Sequence, residues 1–197
     1  MMISGRVQPA ADTGAEADAP AAAAAGGPDI ELIAALSDNL VIGREHELPW
    51  YIPEDLRRFR ELTLQQAVIM GRVTYEGILE RTGRPLAERL NIVLTARRKL
   101  SRVSVAHSLA EALELAARGR TQRIMIIGGA RVYAEALPLA RTLHLTRIMC
   151  NVEGDTFFPL WSTLPFARTE ASDVAYSPEN QFDYRFETWQ RFATAAT

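Results

Sequence analysis

From Ile30 onward, short apolar runs alternate with stretches of helical spacing, and this alternation limits the fold more than any other feature. IELIAAL (30–36), AVIM (67–70), NIVL (91–94), VSVA (103–106), RIMII (123–127) and LHLTRIM (143–149) are strand-length and almost wholly apolar. Strands of that kind are buried on both faces. Between them PEDLRRFREL, RVTYEGILE, SLAEALELAAR and ARVYAEAL repeat their apolar residues at helical intervals. The pattern predicts an α/β domain with a mostly parallel central sheet and helices on both faces. In the last 30 residues ARTEAS and YRFETWQRF change to period two, which predicts an antiparallel C-terminal hairpin at one edge. The order of the strands stays open.

The first 29 residues differ. They hold ten alanines, four glycines and three prolines, too little apolar surface to offset their ordering entropy. They are expected to form a disordered tail, with a single domain over 30–197. Asp12, Glu16 and Asp18 interrupt the place where a signal peptide needs an apolar region. The chain has 197 residues, of which 48% are hydrophobic, enough for one domain with a sizeable core. A net charge of −2 with interspersed signs gives no reason to expect nucleic acid or an anionic membrane surface. Cys150 is the only cysteine, so no internal disulfide is possible and a reducing compartment, the cytoplasm, is expected. His46, His107 and His144 lack metal-ligand spacing, and no metal is expected.

One acid stands out of place. In LPWYIPEDLRRF (48–59) Pro53 is suited to begin a helix. At roughly 100° per residue, Ile52, Leu56, Phe59, Leu62 and Thr63 share an arc of roughly 120°, the face a surface helix turns to the core. Glu54, Arg57, Arg58, Arg60 and Glu61 take the other side. Asp55 is the one charge inside the arc. A buried carboxylate costs several kcal/mol unless something meets it, so a protein donor or a ligand should face it. The first turn of a helix also suits an acid for structural reasons alone.

Two strand ends suit phosphate. VIM-Gly71-RVTYE and IMII-Gly128-Gly129-ARVYAE each run strand, glycine, helix, with Arg72 and Arg131 in the first turns. Glycine admits a ligand close to the backbone, and a helix N-terminus offers free N–H groups; two such junctions could straddle a pyrophosphate. A third strand leads through Thr95 into Arg97, Arg98 and Lys99. An arginine there would accommodate the 2′-phosphate of NADPH where an NAD enzyme would place an acid, and no acid stands among these residues. The bland alternative is a solvated basic turn.

Taken in order, IAAL and VIG, LPW-x-x-P-x-DL, VIMGR-x-T, GRPL-x-x-R-x-N, IGG-x-RVY and EGDT-x-FP (153–159) resemble the dihydrofolate reductase family of bacterial chromosomal type over about Ile30 to Phe192. The resemblance implies an NADPH-dependent reduction of dihydrofolate, with hydride going to C6 of the pterin and a proton to N5, in a monomer. It assigns Asp55 to the 2-amino group and N3 of the pterin, with Thr146 supporting it. Trp50 belongs to a lid over Ser37 to Trp50, and water is the expected proton source. Ile33, Ala35, Leu56, Phe59, Ile78, Ile127 and Tyr133 would line the substrate pocket, and Arg89 would hold the carboxylate of the glutamate tail. Cofactor contacts are implied for Ala35, Ile42, Gly43 and Leu48; for Gly71, Arg72, Val73 and Thr74; for Leu94, Thr95, Ala96 and Arg97; and for Gly128, Gly129, Ala130, Arg131 and Val132. A cis peptide between Gly128 and Gly129 is implied as well. Leu48, Ala96 and Ala130 depart from residues common in the family. Another NADPH-dependent reductase of the same fold, of riboflavin-pathway type, would keep the paired glycines but need neither the acid-bearing helix nor Arg89.

Overall fold

The computed structural model describes residues 27–119 and 121–192; the tail expected over 1–29 lies outside them up to Gly26. Strand β1 (Asp29–Ser37) occupies the middle of the sheet, parallel to β6 (Arg123–Ile126) on one side and to β7 (Thr142–Ile148) on the other. Beyond β6 lie β3 (Ala67–Gly71), β4 (Leu90–Leu94) and β5 (Ser104–Ala106), again parallel. On the far side of β7, β11 (Phe182–Arg191) runs antiparallel, and β9 (Phe166–Ala171) and β10 (Ala175–Ser177) both pair with it. The single expected hairpin is therefore a three-strand edge, with a bulge at Thr188/Trp189.

The helices are α1 (Pro53–Thr63), α2 (Arg72–Thr82), α3 (Leu109–Arg118) and α4 (Ala130–Ala136), which ends in a 3-10 turn over Leu137–Leu139. Alternate strand residues sort them into two layers. Leu32, Ile69, Ile92 and Ile126 point to the side covered by α3 and α4. Ile33, Val68, Met70 and Met125 point to the side where Phe59 and Leu62 of α1 and Tyr75 and Ile78 of α2 pack. Coverage on both faces is the physical reason that the strand sequences are mostly apolar. Ser108 caps α3 by accepting from the Glu111 amide at 3.1 Å, and Glu111 accepts from the His107 amide at 2.7 Å.

Besides β10, two strands have no counterpart in the sequence pattern. β2 (Val41–Gly43) and β8 (Thr156–Phe157) form a separate antiparallel pair, too short to show a period. Gly154 lets them meet: a Cβ there would collide with the Val41 side chain and lie 2.7 Å from the Gly43 carbonyl oxygen.

The antiparallel edge is held by a buried acid. Glu187 of β11 is 3% exposed and accepts from Trp189 Nε1 at 2.9 Å, Arg168 Nη1 at 3.0 Å and Arg185 Nε at 2.8 Å. Burial alone would push its carboxyl up, but these three donors outweigh it and hold it below the ordinary glutamate range. A depressed folded value adds stability above the unfolded glutamate range and loses it as pH falls through the folded value. Glu187→Gln should therefore be about 1–2 kcal/mol less stable than the parent at neutral pH, measured by urea unfolding. The difference should close in acid.

Candidate active site

Helix α1 begins as its sequence dictates, with Pro53 in the first turn and Ile52 extended at the N-cap. Its apolar arc does not simply face the core. Thr63 is its only buried residue and Leu56 is 42% exposed. The N-terminal half of the arc instead opens on a cleft of about 1190 Å³, at the carboxyl ends of β3, β4 and β6, where open α/β sheets bind ligands. Solvent-facing apolar side chains such as Leu48, Leu56 and Val73 line this cleft, and exposed apolar surface in a concave site marks ligand binding.

Asp55 lines the cleft from α1 and is half-buried. Its Oδ1 accepts from Thr146 Oγ1 of β7 at 2.5 Å; its Oδ2 accepts no hydrogen bond among the described residues. Burial pushes the Asp55 carboxyl up, while the Thr146 hydroxyl and the nearby Arg58 charge offset part of the rise. Arg58 was expected on the solvated side of α1. It is half-buried, its guanidinium 5.0 Å above the ring of Phe186, and its Nη1 is buried without a partner. The reason is that Phe186 of β11 reaches that side of the helix. Trp50 is 7% exposed, lines the same cleft and leaves its indole N–H unpaired.

The two strand–glycine–helix junctions meet: the Gly71 amide donates to the Gly128 carbonyl at 2.7 Å. Gly71 and Gly129 are the N-caps of α2 and α4, and neither helix start has a side-chain cap, so free N–H groups remain there. Gly128 has φ +116° and is joined to Gly129 by a cis peptide. A Cβ on Gly71 would lie 3.4 Å from Val132 Cγ2.

Of the residues proposed from sequence, Ile33, Ala35, Ile42, Gly43, Phe59, Ile78 and Ile127 also line this cleft. So do Arg72 and Thr74 of α2, Leu94 at the end of β4, Thr95 and Ala96 after it, and the whole stretch Gly128 to Tyr133. Three do not. Thr146 is 1% exposed and stands behind Asp55. Arg89 is half-buried and caps the end of α1, donating to the Arg60 carbonyl and to Thr63 Oγ1 at 3.2 Å and to the Ala87 carbonyl at 2.6 Å. Its place is thus fixed by the backbone of α1 rather than left to solvent. Arg97 lies beyond the cleft wall, where its Nη1 donates to Glu76 Oε1 at 3.3 Å.

Glu76 corrects the expectation that no acid stands in the basic cluster. Its Oε2 accepts from Arg72 Nη1 at 2.5 Å, so one carboxylate spans both arginines. The signal was readable as an i,i+4 pair on α2, but its link to Arg97 is tertiary. His107 was also missed. It lines the cleft just after β5, and its Nδ1 lies 2.9 Å from the Thr95 carbonyl oxygen. A carbonyl only accepts, so Nδ1 carries the proton.

The segment expected to form a lid, Ser37 to Trp50, is tied in its second half and just beyond its end. The Glu45 amide donates to Asp155 Oδ2 at 2.9 Å, and the Asn180 side chain accepts from the Tyr51 amide at 3.0 Å and donates to its carbonyl at 2.6 Å. Tyr133 is buried and donates its hydroxyl to the Ile33 carbonyl at 2.7 Å; burial pushes its phenol far up, so it stays a donor. No helix among the described residues is long and apolar enough to cross a membrane. No cluster of metal-ligating side chains occurs among them either.

A family model described as dihydrofolate reductase matches residues 29–191. The chain is 42% identical over 164 residues to dihydrofolate reductase type 3 of Salmonella typhimurium, covering 82% of this chain and 98% of that protein. It is 39% identical over 165 residues to the dihydrofolate reductase of Buchnera aphidicola subsp. Acyrthosiphon pisum, covering 83% and 99%. The solved structure of Enterococcus faecalis dihydrofolate reductase, complexed with NADP(H) and RAB-propyl, superposes with a TM-score of 0.72 at 34% identity, covering 83% of this chain and 96% of that one. With a family match that spans the whole described sheet and the cleft at its carboxyl edge, the chain belongs to the dihydrofolate reductase family.

Proposed function

We infer that this chain reduces 7,8-dihydrofolate to 5,6,7,8-tetrahydrofolate with NADPH, supplying one-carbon and thymidylate metabolism. The observation that carries the site assignment is Asp55, a half-buried carboxylate with one oxygen tied to Thr146 and the other unpaired in an apolar cleft. The 2-amino group and N3–H of a pterin form a pair of parallel donors that such a carboxylate matches. Ile33, Ala35, Leu56, Phe59, Ile78, Ile127 and Tyr133 would pack around the rings. Arg89, anchored on α1, would meet the carboxylate of the glutamate tail with the part of its fork left free.

The residues present fit the cofactor. Two uncapped helix starts joined through Gly71 and Gly128 would hold its pyrophosphate. Thr95, Arg72 and Arg97 would meet its 2′-phosphate, and Ile42, Gly43 and Leu48 of the lid would cover the nicotinamide. Bound there, NADPH supplies the hydride that reduces C6. The chain supplies the rest: Asp55 orients the pterin and its charge favours protonation at N5 by water, Trp50 walls the cleft, and the lid excludes bulk water. The chain's single free cysteine, Cys150, suits the reducing cytoplasm.

Following NADPH absorbance with dihydrofolate added and withheld tests the reaction. Asp55→Asn should lower hydride transfer by roughly 10²–10⁴, the range for losing a group that assists proton transfer, and less at low pH, where solution protonates the pterin. Wild-type turnover at neutral pH in this variant would remove Asp55 from the mechanism. Stability should move the other way. An acid whose folded pKa is raised adds stability below its unfolded pKa and loses it as pH rises through the folded value. At neutral pH Asp55 is therefore a burden on the fold, and Asp55→Asn should melt no lower than the parent.

Thr146→Val removes the one hydroxyl that favours the charged form of Asp55. The carboxyl should then titrate at higher pH than in the parent, measured by carboxyl-carbon NMR on labelled protein. At the other end of the cleft, Arg72→Ala with Arg97→Ala should weaken NADPH at least about tenfold more than NADH. Equal weakening would place the 2′-phosphate elsewhere.

A further inference from the structure

Arg72 and Arg97 come from different parts of the chain, one opening α2 and the other in the turn after β4. They are brought together by a single acceptor. Glu76 Oε2 takes Arg72 Nη1 at 2.5 Å, Glu76 Oε1 takes Arg97 Nη1 at 3.3 Å, and the Glu76 side chain is 37% exposed at this junction. Two guanidinium groups gathered around one oxyanion describe a phosphate site whose occupant is part of the protein.

We propose that Glu76 is an internal competitor for the adenosine 2′-phosphate and sets how strongly the enzyme prefers NADPH to NADH; this rests on the reading of Arg72 and Arg97 as the 2′-phosphate site. A phosphate monoester near neutral pH carries about −1.5 to −2 charge and three strong acceptor oxygens, against the single charge of a carboxylate. Both arginines can serve the phosphate, but the phosphate and the Glu76 carboxylate cannot share them without placing like charges side by side. Binding of NADPH is thus an exchange: two charge-assisted hydrogen bonds to Glu76 break and those to phosphate form. Only the difference appears in the affinity. Three rotatable bonds from the helix backbone to the carboxylate allow the side chain to swing into solvent without moving α2.

NADH meets the same residue differently. Its ribose 2′-hydroxyl is a donor, and a carboxylate is the acceptor that NAD-preferring sites use for that hydroxyl. Glu76 can keep both arginines and still accept from it. One side chain therefore weakens the phosphorylated cofactor and favours the unphosphorylated one. The helix-internal pairing of Arg72 and Glu76, spaced i,i+4, keeps the carboxylate at the site whenever the phosphate leaves, which speeds release.

The test is the equilibrium affinity of each cofactor for the free protein, read from quenching of tryptophan fluorescence, with 2′,5′-ADP and 5′-AMP as probes that cannot react. Glu76→Gln keeps the length of the side chain and removes its charge. It should tighten NADPH and 2′,5′-ADP by about tenfold, the scale of a charge-assisted contact, and leave NADH and 5′-AMP unchanged or weaker. Glu76→Asp, which keeps the charge, should not tighten NADPH. A Glu76→Gln protein that binds NADPH less well would show that Glu76 only positions the arginines. One whose NADPH-to-NADH ratio stays within about twofold of the parent would show that it does not compete; either result overturns the proposal. The paired arginine-to-alanine protein separates the two levels. If it still discriminates as the parent does, the phosphate site itself is wrong; if it loses discrimination while Glu76→Gln gains none, only the role of Glu76 fails.

Discussion

The hydrogen bond from Thr146 to Asp55 joins the middle of the sheet to the helix that walls the cleft, and the site's chemistry is arranged around it. Thr146 lies in β7, in register with Ala35 of β1 on one side and Phe186 of β11 on the other. Asp55 is thereby held at a depth set by three strands, and it is only half satisfied. A second donor from the protein would stabilise the charged form further and also occupy the oxygen now left open to the cleft. Arg58 shows the same restraint. It is close enough to lower the carboxyl's rise, yet it stacks on Phe186 instead of pairing with Asp55.

Parallel pairing explains why the second half of the site falls where it does. β3 and β6 run side by side in the same direction, so both reach the same edge of the sheet and both turn there into helices. Their glycine turns come close enough for the Gly71 amide to bond the Gly128 carbonyl. An antiparallel pair would have sent one helix start to the opposite end. The convergence of two uncapped helix N-termini therefore follows from topology, and glycine at the contact allows it.

Much of this was legible in the sequence, for physical reasons that differ from residue to residue. Strands buried on both faces read as largely apolar runs of strand length, so β1, β3, β4, β6 and β7 were placed within a residue or two. Asp55 was visible because it broke an apolar arc. The arc itself was misread as facing the core, since a helix periodicity cannot distinguish a side chain touching protein from one waiting for a ligand. β2 and β8 were too short to carry a pattern, and their pairing depends on the close approach at Gly154. Arg58, Glu76 and His107 were misjudged or missed because each is defined by a partner distant in sequence: Phe186, Arg97 and Thr95 respectively. Local spacing holds no information about such contacts.

The two charged ends of the cleft solve opposite problems. At Asp55 the protein leaves an acceptor oxygen without a partner, so a ligand donor arriving there displaces no protein hydrogen bond, and the cost of desolvation has already been met by the fold. At Arg72 and Arg97 the donors are already engaged by Glu76, so an arriving anion must displace an acceptor before it is held. The first arrangement favours strong and specific contact with the group being reduced. The second limits the grip on a group that takes no part in the chemistry and must be let go after each turnover. A site left unsatisfied costs stability, as the raised Asp55 carboxyl shows, whereas one satisfied from within costs affinity. An open pair of guanidinium groups beside α2 would repel each other in the free protein, and Glu76 removes that repulsion while the cofactor is absent. In the proposed binding mode the open acceptor would meet the pterin and the self-occupied donors the adenosine end, which puts each cost where the reaction can tolerate it.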